Sequence, residues 1–395
     1  MRNIFNLKAT RRDFLKKGAA LGIGALSFSP LSFLASCSST PERTDLLDEL
    51  YSASLKKNAT VSIVKIRDGN IARAVEEAIE KIGGIRKLTR GKQSIMLKPN
   101  LVSEARMMTT KVEVMEPLAR LMIAAGKQVT IGEGSAAVDG VNHRGGEDYR
   151  TKNIEMLEAI QKRAYEQTGY TEMAQRLKIP LVNFHTGNLK SVRIKDGYIF
   201  DEFTLHKSLL DTDMFCSVPM MKTHQLATVT LSMKNLFGII PGAVYGTVRG
   251  NVHDLASKKD KTGTDAAIMD LLKVRPIDLA VVDASSAMEG NGPSFGPIVP
   301  MNLIIAGKNP LAVDMVSALL MGFDPEKIPT FSWAHRSGMT PFTLGEIEVV
   351  GERVENVWRK FTPPQVYSWD IVGKVWGHRV LAGRRAARAG NTIVS

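Results

Sequence analysis

The sequence predicts an α/β domain, a mixed and mainly parallel sheet flanked by helices, with polar residues at the carboxyl ends of its strands. Three observations predict it. From Val61 onward, short apolar runs rich in β-formers alternate with amphipathic stretches of ten or more residues, the pattern of parallel strands joined by crossover helices. One stretch, 191–204, reads as a hairpin turned at Asp196-Gly197, so part of the sheet is expected to be antiparallel. Four strands give way at once to a polar cluster, the place where open α/β sheets bind ligands.

Taken in order, residues 61–64 read as a strand and 71–82 as a helix closed by Gly83-Gly84. A short buried strand follows at 94–97, a helix at 114–125 ending at Gly126, and a strand at 128–131. A long helical stretch runs over 152–177, and Val182 and Phe184 mark a further strand before the hairpin. Residues 214–218 form an apolar strand stopped by Pro219. Leu226, Val229, Met233 and Phe237 then fall at spacings of three and four, which predicts a helix over 226–237 stopped by Gly238. Strands at 277–282 and 301–305 and a helix at 310–321 complete the pattern. The loop 288–297 is too rich in glycine and proline for regular structure and reads as a loop flanking the site; 241–255, with Gly242, Gly246 and Gly250, is a second candidate cover.

The two ends differ from this body. Arg11 and Arg12 lie in Thr10-Arg11-Arg12-Asp13-Phe14-Leu15-Lys16, which matches a twin-arginine export signal, and a short, broken apolar region follows to Leu34. Leu34-Ala35-Ser36-Cys37 resembles a lipoprotein cleavage box, so Cys37 is expected to carry lipid. The expected organisation is a signal peptide over 1–36, a lipidated tether over 37–58, the α/β domain over 59–350 and an amphipathic basic tail over 351–395. In that tail Trp369, Val372, Trp376 and Val380 share a stripe, with Lys374, Arg379, Arg384 and Arg385 elsewhere on the wheel. Such a helix either docks on the body or lies on the anchoring membrane. The expected location is outside the inner membrane, anchored and facing the periplasm or cell exterior.

The formal net charge of +12 divides unevenly. The leader before Cys37 holds +5 and the tail from Lys374 another +5, which leaves +2 for the body. A nearly neutral body removes the argument for nucleic acid as a partner. There are 2 cysteines, so once Cys37 is acylated Cys216 stands alone; no internal disulfide and no cysteine-ligated iron–sulfur cluster is expected within one chain. No Gly-x-Ser-x-Gly elbow and no Gly-x-Gly-x-x-Gly opening a helix is present, which argues against a serine hydrolase and a Rossmann oxidoreductase.

The polar clusters are Lys98-Pro99-Asn100, Glu133-Gly134-Ser135, Lys222-Thr223-His224 and Asp283-Ala284-Ser285. If their strands are neighbours, these groups converge on one crevice. Alone, Lys98 before a proline would be an exposed turn lysine, and the glycine turn around Ser135 lacks the spacing of a dinucleotide or Walker motif. Lys222 and Lys234 around His224 point to an anionic ligand. His224, His253 and Asp254 are candidate metal ligands, without the spacing of a known metal motif.

Lys222-Thr223-His224 followed by Lys234-Asn235-Leu236-Phe237-Gly238 resembles the signature of the domain of unknown function 362 family. Leu97-Lys98-Pro99-Asn100-Leu101, the stretch from Asp283 through Met288-Glu289-Gly290-Asn291-Gly292-Pro293, and Leu311-Ala312-Val313-Asp314 fit the same family. Many relatives carry cysteine clusters for iron–sulfur centres, which this chain lacks. The resemblance implies Glu289 and Asp314 as further site acids and leaves the reaction unnamed. The combined expectation is that Lys98, Lys222 and Lys234 neutralise an anionic small molecule, while Asn100, Ser135, Thr223 and Asn235 orient it. His224 would act as general acid/base or metal ligand, with Asp283 or Glu289 as its acidic counterpart. A divalent transition metal is the candidate cofactor, since the twin-arginine machinery often moves folded, cofactor-loaded proteins. Two readings are open: an enzyme acting on an anionic molecule, and a lipoprotein that binds such a molecule or an envelope component without turnover.

Overall fold

The computed structural model describes residues 43–52, 56–136, 150–260, 262–294 and 296–365. The export signal at Arg11 and Arg12, the lipidation site Cys37 and the Trp369–Val380 stripe all lie outside the described residues. The strands are β1 (Ala59–Lys65), β2 (Ser94–Pro99), β3 (Gln128–Glu133), β4 (Leu181–Asn183), β5 (Leu189–Arg193), β6 (Glu202–His206) and β7 (Met214–Val218). They continue as β8 (Met220–His224), β9 (Thr228–Thr230), β10 (Leu279–Met288), β11 (Ile298–Val299), β12 (Leu303–Gly307) and β13 (Ile347–Gly351). The main sheet runs β13-β1-β12-β10-β7-β2-β3-β4, with β11 and β8 also on β10 and β9 on β8.

The sheet is mixed and mainly parallel. The pairs β1–β13, β10–β7, β10–β8, β2–β7, β2–β3 and β3–β4 are parallel. Antiparallel pairing comes from β12, which lies between β1 and β10 and opposes both, and from the short strands β11 on β10 and β9 on β8. The hairpin expected within this sheet is instead a separate two-stranded sheet of β5 and β6.

Helices of two turns or more are α1 (Arg43–Leu50), α2 (Ile71–Lys81), α3 (Val112–Ala124), α4 (Ile154–Gln167), α5 (Tyr170–Leu177), α6 (Gly250–Lys259), α7 (Gly263–Val274), α8 (Pro310–Leu320) and α9 (Pro329–Arg336). Because successive strand residues point to opposite faces, the sheet separates two apolar layers. Ile95, Leu97, Ile131, Cys216 and Val281 pack with α2, α3 and α5; Met96, Phe215, Val282 and Ile305 pack with α6, α7, α8 and α9. The result is a three-layer α/β/α arrangement in which strands buried on both faces read as continuous apolar runs.

Four sequence expectations are corrected. The expected helix over 226–237 does not form. Residues 228–230 pair with β8 as β9 (Lys222↔Thr230, Thr223↔Val229, His224↔Thr228), and a 3-10 turn, Lys234–Ile239, follows. Three consecutive β-branched residues favour extended backbone, Thr228 takes φ 63°, and the Asp314 carboxylate draws in the amides of Ser232 and Met233. The three-and-four spacing came from Val229, Met233 and Phe237 being buried in an irregular segment. Pro219 does not end the strand region either: β7 and β8 lie successively along β10, and the Asp283 amide donates to the Pro219 carbonyl. The stretch 152–177 is two helices broken at Gly169, whose φ of 84° suits glycine. Within the stretch read as a tether, α1 forms and buries Leu46 and Leu50 in the core, while Val354 and Phe361 extend the body past Gly351.

Candidate functional site

Lys98 and Glu133 stand at the carboxyl ends of the adjacent parallel strands β2 and β3. By alternation Lys98 shares a face with Met96, and its register partner on β7 is Ser217. Rather than an exposed turn lysine it is fully buried. Its Nζ donates to Glu133 Oε2 (2.8 Å), Asn235 Oδ1 (2.9 Å) and the Pro99 carbonyl (2.7 Å). Asn235 Nδ2 in turn donates to the Lys98 carbonyl and to Ser217 Oγ, and Asn100 Nδ2 reaches Asn235 Oδ1 at 3.4 Å. The Leu101 amide completes Glu133 Oε2 at 3.0 Å. Burial pulls Lys98 down to about 8, opposed by Glu133, and lifts Glu133, opposed by Lys98 and Arg249. Every ammonium proton of Lys98 has an acceptor.

The irregular segment after β9 brings further cations beside this pair. Asp314, on α8, accepts from the Ser232 amide (2.8 Å), the Ser232 hydroxyl (2.6 Å) and the Met233 amide (2.9 Å), which pins the chain just before Lys234 and Asn235. Burial raises Asp314 to about 7. Gly238 then passes so close that a Cβ there would overlap Glu133 Oε1 and Lys98 Nζ. Lys222 on β8 is buried, donating from Nζ to the Met108 carbonyl at 2.8 Å. Lys234 Nζ lies 3.9 Å from the centre of the Phe237 ring and, among the described residues, has no hydrogen-bond acceptor. Phe237 stacks on His253 with centroids 4.6 Å apart. Arg249 reaches the same place from the glycine-rich segment before α6, its Nη2 4.0 Å from Glu133 Oε1.

These charges are poorly balanced. Lys98, Lys222, Lys234 and Arg249 are all buried, and the acids within their electrostatic reach are Glu133 and Asp265. Burial pulls Lys222 and Lys234 down to about 7 and Arg249 down to about 10; neighbouring cations add to the fall for the two lysines. Asp265 hydrogen-bonds Thr330 and is lifted by burial to about 6. His224, His253 and His185 are held below the usual imidazole range by burial and then by nearby cations, His185 at about 3. They are neutral rings at pH 7. The Leu226 amide donates to His224 Nδ1 (3.0 Å), so the His224 proton sits on Nε2 and the ring offers a donor. Buried cations cost several kcal/mol each unless paired, and an anionic ligand would supply the missing charge.

Other expected site residues are placed elsewhere or spent on structure. Asp283 lies inside β10, where alternation turns it to the opposite face from Lys98; it accepts from the Lys111 amide (2.9 Å) and from the Ser285 amide and hydroxyl. Glu289 accepts from the Thr362 amide and faces Arg359. Neither acid pairs with His224. The Thr223 hydroxyl donates to the Gly290 carbonyl at 2.7 Å. Ser135 contributes its backbone, its amide to Gln161 Oε1 and its carbonyl to His185 Nε2. Asp254 pairs with Arg150, and His253 Nδ1 meets the Thr264 hydroxyl at 3.2 Å. Among the described residues no three potential ligand side chains are grouped to hold a metal, so His224, His253 and Asp254 do not fit one. Sequence reading missed Arg249 and Asp265 as members of the cluster, and placed Glu133 in a strand-end cluster without naming it as the partner of Lys98. For Glu133 the signal was its place at a strand's last residue; for Arg249 it was the flanking Gly246 and Gly250.

A thylakoid-associated protein, sll1697, of Synechocystis sp. (strain ATCC 27184 / PCC 6803 / Kazusa) is 27% identical over 276 residues, covering 69% of this chain and 77% of its own. The lactate racemase apoprotein of Thermoanaerobacterium thermosaccharolyticum is similar in structure with a TM-score of 0.41 and 13% identity, over 70% of this chain and 59% of that one, a likeness too slight to carry an activity across. The sequence profile described as "Domain of unknown function (DUF362)" matches residues 95–319, from β2 through the cation cluster to α8. That stretch is more than half of the chain and holds Lys98, Glu133, Lys222, Lys234, Arg249 and Asp314 together, and the chain therefore belongs to the domain of unknown function 362 family.

Proposed function

We propose that this protein is an exported, membrane-anchored lipoprotein whose α/β body holds an anionic small molecule against the buried cations at the ends of β2 and β3. The observation that carries the reading is the surplus of buried positive charge: Lys222, Lys234 and Arg249 remain after Lys98 is matched to Glu133, with Asp265 the one further acid in reach of Lys234. Export and anchoring rest on Arg11, Arg12 and Cys37 and their flanking residues. The relative named as thylakoid-associated is in keeping with a membrane setting.

A second reading, turnover of the bound anion, is favoured by one specific feature. Lys222 and Lys234 sit at about 7, where an amine both takes and gives a proton near neutral pH. In this reading the lysines, not a histidine–carboxylate pair, move the proton, because His224 has neither Asp283 nor Glu289 beside it.

The test uses protein exported through its own signal and released from the membrane with detergent. Denaturing release followed by mass spectrometry should yield an anionic organic molecule in near-stoichiometric amount. A preparation that carries none, and whose melting temperature no added oxyanion shifts, would sink the reading. Lys222→Arg then separates the two versions: charge is kept but proton exchange near pH 7 is lost, so an enzyme retains its ligand and loses turnover. His224→Ala should retain both.

A further inference from the structure

Arg249 is more than nine-tenths buried, and among the described residues its Nε and Nη2 have no hydrogen-bond partner. These two nitrogens form the side-on edge of the guanidinium, two parallel N–H groups spaced to match two oxygens of one carboxylate or phosphate. The nearest acid does not occupy that edge: Glu133 Oε1 is 4.0 Å from Nη2, and both Glu133 oxygens already accept other bonds, Oε2 from Lys98 and Leu101 and Oε1 from the Gly134 amide. Gly134 borders the edge, since a Cβ there would lie 3.4 Å from Nη2. The backbone of Arg249 is held at φ 55°, in the left-handed region, following Gly246 at φ 75°. Non-glycine residues are uncommon in this region and persist where the surrounding structure holds them there. Lys234 is the neighbouring cation, likewise without an acceptor among the described residues.

We infer that the Nε–Nη2 edge of Arg249, with Lys234 as second cation, receives one oxyanion group of the ligand, a carboxylate or a phosphate, and so is the specificity element of this site. The inference rests on the anion-binding reading and refines it. Lys98 then serves as scaffold, its protons consumed by Glu133, Asn235 and Pro99, and the recognition falls to a residue outside the strand-end clusters. Arginine rather than lysine is required, because a single ammonium offers no parallel pair of donors.

Calorimetry on the full-length detergent-released protein, stripped of bound ligand, tests it with inorganic phosphate, malonate and chloride as probes. Phosphate or malonate should bind and chloride should not, and the tighter of the two names the group. Arg249→Lys should weaken that binding by about tenfold or more while Lys111→Gln, outside the cluster, leaves it unchanged. Should Arg249→Lys fail to fold, the wild-type protein labelled with 15N-arginine supplies the answer: one slowly exchanging Nε–H resonance should shift on saturation with the probe. Binding that Arg249→Lys retains in full, or saturation without any arginine Nε–H shift, overturns the inference while leaving anion binding intact. A wild-type protein that binds neither oxyanion overturns both.

Discussion

Lys98 and Lys234 are both buried lysines, and their neighbours make them opposites. Lys98 has three acceptors including Glu133, so Lys98→Met leaves a carboxylate buried and unpaired and should cost about 3–5 kcal/mol in denaturant unfolding. Lys234 has an aromatic face and no acceptor among the described residues, so Lys234→Met should stabilise the ligand-free protein by about 1–4 kcal/mol and lose the anion. A Lys234→Met variant less stable than its parent would contradict the account of the cluster as an unneutralised site. The same lysines set a pH dependence. Lys222 and Lys234 fall from 10.5 to about 7 on folding, so between those values the unfolded chain holds the extra protons. Their penalty is therefore full below about pH 7 and fades as pH rises toward 10.5, which raises stability over that window. Anion binding runs the other way, since it favours the ammonium form. Affinity should fall above pH 7 by about tenfold per pH unit for each lysine that must be protonated, with proton uptake visible as a buffer-dependent enthalpy. Flat affinity from pH 7 to 9 would contradict it. Cys216 is fully buried in β7, and burial pushes its thiol up, away from the thiolate form that reacts.

At the level of elements, the segment between β9 and α6 does most to assemble the site, and it is the segment the sequence misled on. Its apolar residues recur at helical spacing because each is buried, not because the backbone is helical. Two tertiary contacts shape it: Asp314 from α8 holding Ser232 and Met233, and the close pass of Gly238 over Lys98 and Glu133. Gly238→Ala should therefore displace the ion pair and destabilise the protein by about 1–3 kcal/mol, with anion affinity reduced as well; unchanged unfolding and binding would show that the 3-10 turn has slack at this point. The strands themselves were legible. Apolar runs at β2, β3 and β7 are buried on both faces and announce a parallel core directly. Legibility failed at Asp283 for a simple reason. Reading 277–282 as the whole strand placed Asp283 at its end, whereas β10 runs on to Met288 and the two-residue period turns Asp283 toward α3.

For the whole molecule, the charge is divided between a nearly neutral body and two basic ends, and the anchoring proposal assigns the ends to the membrane. If the anchoring proposal holds, Cys37→Ser should move the exported protein from the membrane to the soluble fraction, and Arg11→Lys with Arg12→Lys should leave the precursor unexported. Fractionation and immunoblotting check both, and a Cys37→Ser protein still wholly in the membrane would transfer the anchoring role to the 366–395 tail. Among the described residues no helix is long and apolar enough to cross a membrane. Leu46 and Leu50 of α1 are buried in the core, so the folded body begins ahead of β1.

By itself the sequence determined the α/β class, the core strands β2, β3 and β7, the family, and the strand ends at which Lys98 and Glu133 stand. Each of these is written in short-range periods or in contiguous motifs, so residues two to four apart are sufficient to read it. What only the tertiary structure decided is which of those polar residues are spent and which are free to meet a ligand. Lys98 finds Glu133 across 35 residues and Asn235 across 137, while Arg249 arrives from a separate segment with its donor edge unmatched. The charge state of a buried group depends on every neighbour within a few ångströms, and that neighbourhood exists only once the sheet has brought distant strand ends together.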